Sequence, residues 1–94
     1  MSLFMLACFD KPNSLELRMA TREAHLAYVR DNMALVKVAG PMLDEGDGMA
    51  GSLFILEAED RAQVAAFNAA DPYQKAGLFD QVEIRGFRAS IGQL

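Results

Sequence analysis

Asp71-Pro72-Tyr73-Gln74-Lys75-Ala76-Gly77-Leu78-Phe79 is the stretch on which the reading of this chain turns. The alanine-rich residues before it, Ala62 to Ala70, read as helix, and Pro72 stops that helix because it lacks an amide hydrogen and clashes with the preceding turn. Asp71 is thereby left beside the last, unsatisfied carbonyls of a helix, where partial negative charge makes a carboxylate unwelcome. A cation or proton donor from elsewhere in the fold is expected to meet it. Besides its lysines and arginines, the sequence has a single histidine to offer, His25.

Beyond this stretch, Gln81 to Ile91 reads as the last strand. Val82 and Ile84 share one phase whereas Phe87, Ala89 and Ile91 share the other, which predicts a β-bulge or bend at Gly86. Before it, Asp60 is placed to cap the alanine-rich helix, Gln63 completes a box-like pair, and Val64 and Phe67 supply a core face. Ser52 to Ala58, S-L-F-I-L-E-A, is a third strand, almost continuously apolar, and Asp44 to Gly51 is a turn. Val36 to Ala39, followed by Gly40-Pro41-Met42, reads as a second strand, with the proline suited to its end or to an edge. Leu3 to Phe9 is a first strand with both faces apolar, closed by the turn Asp10 to Asn13. Ser14 is a partial N-cap for a first helix that starts between Leu15 and Ala20 and carries an apolar stripe of Met19, Leu26, Val29 and Met33 as far as about Leu35.

The order is β-α-β-β-α-β, an α+β chain with the ferredoxin-like arrangement: an antiparallel sheet with two helices on one face. Two helices shield one side of a sheet, yet strands one and three are apolar on both sides. A second copy packed sheet to sheet is the simplest cover, so a homodimer is expected.

A chain of 94 residues reads as one domain, 1–94, small enough that help from a partner subunit is no surprise. Its formal charge of -4 and its scattered Lys and Arg argue against nucleic acid or an anionic membrane surface as a partner. Leu3 to Phe9 is too short to span a bilayer and has no basic leader, and the lone Cys8 cannot pair within the chain, so a cytoplasmic location is expected. Cys8, inside an apolar strand, reads as a buried, inert thiol.

The chemistry-bearing candidates converge on the two helices. A helical wheel puts His25 at the rim of the apolar stripe, and Arg22, three residues earlier on that side, needs a carboxylate or an anionic ligand. Asp71 continues the inward line of Val64 and Phe67, so His25 and Asp71 can meet over the same sheet face. A carboxylate accepting from one ring nitrogen fixes the imidazole tautomer and leaves the other nitrogen to move a proton, which is an acid-base dyad; a purely structural pair satisfies the same spacing. Ser52 at the start of strand three can hydrogen-bond a substrate, and Tyr73 can wall a pocket for a flat ligand or pack as core. Asp44, Glu45 and Asp47 lack metal-site spacing and read as a solvated turn, so no metal is expected. The glycines form no nucleotide-binding pattern, and no cofactor is expected.

Arg22-x-x-His25-Leu26, Ala39-Gly40-Pro41, Gly51-Ser52, Asp71-Pro72-Tyr73-x-x-Ala76-Gly77 and Val82-Glu83-Ile84-Arg85-x-Phe87 resemble, in order, the signatures of the YCII-related (YciI-like) family. Asp10-Lys11 with Ser14-Leu15-Glu16 and Arg18 is also similar to the family's first loop. The resemblance implies a dimeric ferredoxin-like α+β barrel with a His and an Asp as catalytic pair, here His25 and Asp71. The family's relatives include muconolactone-isomerase-like barrels and a dehydrochlorinase of a chlorinated hydroxyquinol. Gly86 departs from the pattern where some relatives place a proline. The expectation is a cofactor-independent enzyme of isomerase, lyase or dehydrochlorinase type, moving protons on a small aromatic or lactone-like anion held by Arg22. The alternative is a non-catalytic dimeric module that binds a small molecule.

Overall fold

The computed structural model describes residues 1–94, in which β1 (Ser2–Asp10), α1 (Leu15–Asp31), β2 (Val36–Leu43), β3 (Met49–Ala58), α2 (Arg61–Ala70), the short α3 (Pro72–Lys75) and β4 (Phe79–Phe87) follow in order. The strands form one antiparallel sheet in the order β2-β3-β1-β4. The two apolar strands therefore occupy the centre, where both edges of each strand are paired by neighbours. Pro41 lies on the edge strand β2 opposite Ser52, a place where its missing N–H is tolerated.

Alternation along the strands sorts the side chains. Leu6 and Cys8 of β1 join Phe54, Leu56 and Ala58 of β3 beneath the helices, and with Val64 and Phe67 of α2 they belong to one buried cluster. Leu3, Met5, Ala7 and Phe9 of β1, with Leu53 and Ile55 of β3, point to the opposite face, which no element of this chain covers. No helix is long and apolar enough to cross a membrane.

Local expectations hold in part. Asp60 Oδ1 accepts from the Gln63 amide at 2.9 Å, and the Gln63 side chain accepts from the Glu59 amide at 2.8 Å, so α2 begins on a box-like cap in which Gln63 reaches one residue before the N-cap. Ser14 does not cap α1 with its side chain; its hydroxyl donates to the Pro12 carbonyl at 3.3 Å instead. The strands β2 and β3 run several residues further toward their connecting turn than their apolar patterns suggest, because paired backbone extends beyond the packed side chains.

The bulge expected at Gly86 is absent there: β1 and β4 stay in register through Phe4↔Gly86 and Leu3↔Phe87, and the slip falls between Phe9 and Asp10, which pairs with Phe79. Both phases of β4 are apolar because Val82 and Ile84 lie on the helix side while Phe87 lies on the uncovered side, so the change of phase marks no break. The strand stops at Phe87, and Ile91 is exposed.

The stripe expected on α1 is rotated. Met19 and Met33 are half exposed, while the residues that α1 buries are Arg18 and His25. His25 thus lies inside the helix–sheet interface and not at its rim, since the inward face of α1 meets polar groups that an apolar wheel does not anticipate.

Two glycines separate close approach from mere permissiveness. A Cβ on Gly51 would stand 2.6 Å from the Cys8 carbonyl oxygen across the β1–β3 pairing, whereas one on Gly86 would meet nothing within 4 Å. Gly51→Ala is therefore expected to destabilise the protein by roughly 1–3 kcal/mol, the usual cost of forcing volume into packed structure, with Gly86→Ala within about 0.5 kcal/mol of wild type. Urea denaturation curves of the two variants provide the comparison. Cys8 is sealed: burial first, then the charges of Asp71 and Asp10, push its thiol up to about 12 against the lowering effect of Arg18. The thiolate is the reactive form, so iodoacetamide should label Cys8 only once the chain unfolds, at any pH well below that value.

Candidate active site

Asp71 is the residue from which the site is built. It ends α2 and simultaneously caps α3, and its Oδ1 accepts the Tyr73 amide at 2.9 Å. The misfit of a carboxylate at a helix C-terminus is resolved locally, because Pro72 turns the chain into a new helix whose first amide, that of Tyr73, donates to that same carboxylate. The short helix closes on Gly77, at φ +77°, with the Leu78 amide bonded to the Tyr73 carbonyl at 3.1 Å and the Gly77 amide to the Gln74 carbonyl at 3.0 Å. This αL ending sends the chain into β4 and fixes Tyr73 in the core.

His25 Nδ1 lies 2.8 Å from Asp71 Oδ1, with both side chains almost fully buried. An ionised carboxylate only accepts, so in the neutral ring Nδ1 carries the proton and Nε2 carries the lone pair. Tyr73 stacks on the imidazole with centroids 3.9 Å apart and planes 14° from parallel, and Phe54 meets the imidazole edge-on at 6.1 Å. The ring is thus held by one hydrogen bond and two aromatic contacts. Asp71 Oδ2 is the one sealed side-chain oxygen without a partner, so His25 Nε2, which also makes no hydrogen bond within the chain, retains open surface.

That surface belongs to a cavity of about 120 Å³ between α1 and the β2–β3 side of the sheet, walled by His25, Tyr73, Ser52, Arg22, Pro41 and Arg18 among others. Arg22, Ser52 and Tyr73, each expected at the site from the sequence, line this cavity together with His25. Arg22 is exposed at its mouth, whereas Ser52 is buried.

Arg18 and Asp10 were not foreseen as site residues. Arg18 is 2% exposed, forms a two-point ion pair with Asp10 (2.7 Å from Nε, 3.0 Å from Nη2), donates from Nη2 to Ser52 Oγ at 2.9 Å, and lies 4.6 Å over the Tyr73 ring. The signal was spacing: Arg18 precedes His25 by two helical turns and shares its face. Burial on its own would weaken the Arg18 charge, but the hydrogen bond to Asp10 and its charge more than compensate and keep the guanidinium firmly protonated. Burial pushes the Tyr73 phenol up; Arg18 and Arg22 pull it part of the way back. The Tyr28 phenol is likewise raised by burial and then by Asp71, and it donates to the Phe67 carbonyl at 2.7 Å, outside the cavity.

The arrangement offers one imidazole lone pair, a carboxylate behind it, two cations and two hydroxyls around a small, partly apolar space. No group of three or more metal-ligating side chains occurs.

Comparison with known proteins finds relatives by sequence and by fold. Protein YciI of Escherichia coli is 35% identical over 92% of this chain and 96% of its own, and a Haemophilus influenzae protein is 31% identical over 90% and 95%. The solved structure of the 5-chloro-2-hydroxyhydroquinone dehydrochlorinase TftG from Burkholderia phenoliruptrix AC1100, in complex with 2,5-dihydroxybenzoquinone, is similar with a TM-score of 0.85 and 36% identity, covering 92% of this chain and 93% of that one. A NIPSNAP domain protein from Burkholderia xenovorans, 14% identical with a TM-score of 0.54 over 99% of this chain and 100% of that one, shares the ferredoxin-like fold alone. The YCII-related domain matches residues 2–88, and the chain belongs to that family.

Proposed function

We propose that this protein is a cofactor-independent enzyme in which His25, oriented by Asp71, transfers protons on a small aromatic or lactone-like substrate, in a reaction of isomerase, lyase or dehydrochlorinase type. The observation that carries the reading is the buried His25–Asp71 pair whose free Nε2 opens on a cavity walled by arginine, serine and tyrosine. Asp71 hydrogen-bonded to Nδ1 raises the basicity of the opposite nitrogen and stabilises the imidazolium that forms when it takes a proton. Arg22 at the mouth attracts an anionic ligand, and Ser52 and Tyr73 contact it inside.

The choice of an aspartate favours chemistry over capping alone. An asparagine would cap α3 equally well, without burying an unpartnered carboxylate oxygen at Oδ2. TftG, at 36% identity, extends the reading to a chlorinated hydroxyquinol ring. Loss of hydrogen chloride from such a ring needs proton movement only. One hydroxyl proton passes to the chlorine-bearing carbon, a second leaves its oxygen as chloride departs with the C–Cl electron pair, and the ring is left as a quinone without an external oxidant.

The competing reading is a binding module without turnover, favoured by the capping role of Asp71 and by the stacking of Tyr73 on His25, both of which stabilise the fold in their own right. Assay against 5-chloro-2-hydroxyhydroquinone separates the two. The expected result is turnover that falls by about 10²–10⁴-fold in His25→Asn with KM little changed, and by a comparable or smaller factor in Asp71→Asn, accompanied by an altered pH profile. Wild-type turnover in both variants would rule the dyad out, and ligand binding without product would favour the module.

We further infer one domain that works as a cytoplasmic homodimer joined through the uncovered sheet face. On that face Phe9, Val38, Leu53 and Phe87 are each more than a third exposed around Ile55, an apolar surface of the kind that marks an interface. Sedimentation should give a dimer for the wild type and a folded monomer for Leu53→Lys; a monomeric wild type at micromolar concentration would refute it.

A further inference from the structure

Arg18 forms part of the wall of the cavity and is paired with Asp10, which does not line it; the way the hydrogen bonds of Arg18 are distributed restricts what the cavity can accept. A guanidinium has five N–H groups. In Arg18, Nε–H goes to Asp10 Oδ2 and the two hydrogens of Nη2 are taken by Asp10 Oδ1 and Ser52 Oγ, at 2.7, 3.0 and 2.9 Å. Nη1 makes no hydrogen bond within the chain, and it is not sealed from solvent either, since Asp71 Oδ2 is the only sealed, unpartnered polar side-chain atom.

Arginine recognises a carboxylate through two parallel N–H groups on different nitrogens. Arg18 has none left, because every such pairing includes Nε or Nη2. What remains is a single nitrogen, Nη1, with two donors. Beside it stand the Ser52 hydroxyl, whose oxygen is occupied by Arg18 while its own proton has no acceptor, and the Tyr73 hydroxyl, which also lacks one. Burial holds the Tyr73 phenol in its protonated, donating form. All three groups line the same cavity as His25.

We propose that Arg18, held in place by Asp10, is the specificity-determining anchor of the cavity, and that together with the Ser52 and Tyr73 hydroxyls it receives one phenolate or enolate oxygen of a ring substrate and selects against a carboxylate. The inference rests on the reading of this cavity as the substrate site and assigns that site an oxyanion pocket opposite the base. When His25 Nε2 removes a proton from the ring or from one of its substituents, negative charge collects on a ring oxygen. Fixed donors aimed at that oxygen stabilise the charge without having to reorganise. Asp10 acts as a positioning residue: it touches no ligand, but it spends the fork that a carboxylate would otherwise use.

Paired probes of one shape test this. Para-nitrophenol absorbs differently as phenol and phenolate, and para-nitrobenzoate places a carboxylate on the same ring. Titration of the wild-type protein near neutral pH should raise the bound phenolate fraction of para-nitrophenol, with affinity at least several-fold above that for para-nitrobenzoate. Ser52→Ala, which keeps the ion pair, should weaken para-nitrophenol by roughly tenfold, the value of one hydrogen bond to a charged acceptor. Asp10→Asn, which retains one acceptor for Arg18 but releases an N–H, should narrow the preference between the two probes. The anchor is overturned if para-nitrobenzoate binds as tightly as para-nitrophenol, or if Ser52→Ala and Asp10→Asn leave both affinities unchanged. If neither probe protects the cavity, read by the His25 ring signals in NMR, the substrate-site reading falls and the anchor falls with it. Equal binding of the two probes removes the anchor alone.

Discussion

One carboxylate oxygen organises this molecule. Asp71 Oδ1 accepts both the Tyr73 amide and the His25 ring N–H, so a single atom starts α3 and ties α1 to the α2–α3 corner. Each partner makes demands on the surrounding sequence. Pro72 keeps α2 from running past the acceptor, and Gly77 allows the left-handed turn that releases the chain into β4. Tyr73, fixed by this turn, stacks beneath the histidine that the same oxygen orients. The site thus depends on a short local segment and one long-range hydrogen bond instead of on mobile loops.

Placing such a site inside so small a protein consumes core. Arg18, His25, Ser52 and Asp71 are all buried, and the face of α1 that would ordinarily carry leucines carries a cation and an imidazole instead. Buried ion pairs contribute little net stability, because desolvation offsets most of their attraction. The apolar burial that holds the chain together is concentrated where α2 meets β1 and β3, around Leu6, Phe54, Leu56, Val64 and Phe67. The same scarcity explains the shape of the sheet, whose second face is apolar yet uncovered within the chain. The homodimer proposed for that face would supply the burial that the polar side of the sheet forgoes.

The element order and the pairing of His25 with Asp71 were legible in the sequence because each rests on a strong local signal: uninterrupted apolar runs for β1 and β3, a proline stop for α2, a single histidine for the pair. What was not legible follows from the site's polarity. A wheel built on Met19, Leu26, Val29 and Met33 sets the inward face of α1 one step off, since the true inward residues include Arg18, which is not on that stripe, and His25, which the wheel puts only at its rim. The Asp10–Arg18 pair was missed for the same reason, as it joins a strand end to a helix through tertiary packing alone. The phase change at Gly86 suggests a bulge or bend, but a strand that is apolar on both faces shows the same change without a break. In fact Val82 and Phe87 sit in one continuous register on opposite faces.

The stacking geometry also limits how a ring can approach. The imidazole lies within 14° of the Tyr73 plane, and its lone pair at Nε2 points along that plane, because an imidazole nitrogen accepts in the plane of its own ring. Arg18 lies over the same tyrosine ring, 4.6 Å from its centroid. Imidazole and guanidinium are therefore both referenced to one aromatic plate, and under the proposed function a ring substrate that reaches the two of them would approach along the plate, edge first. A flat ring with oxygen on one edge and a transferable proton on another meets that requirement with few rotatable bonds to freeze. A flexible acyl chain would have to give up conformational freedom to do the same, and the cavity is too small to reward it with much contact. The proposed preference for a rigid ring accordingly rests on the placement of Tyr73, and through Tyr73 on the oxygen of Asp71 that accepts its amide.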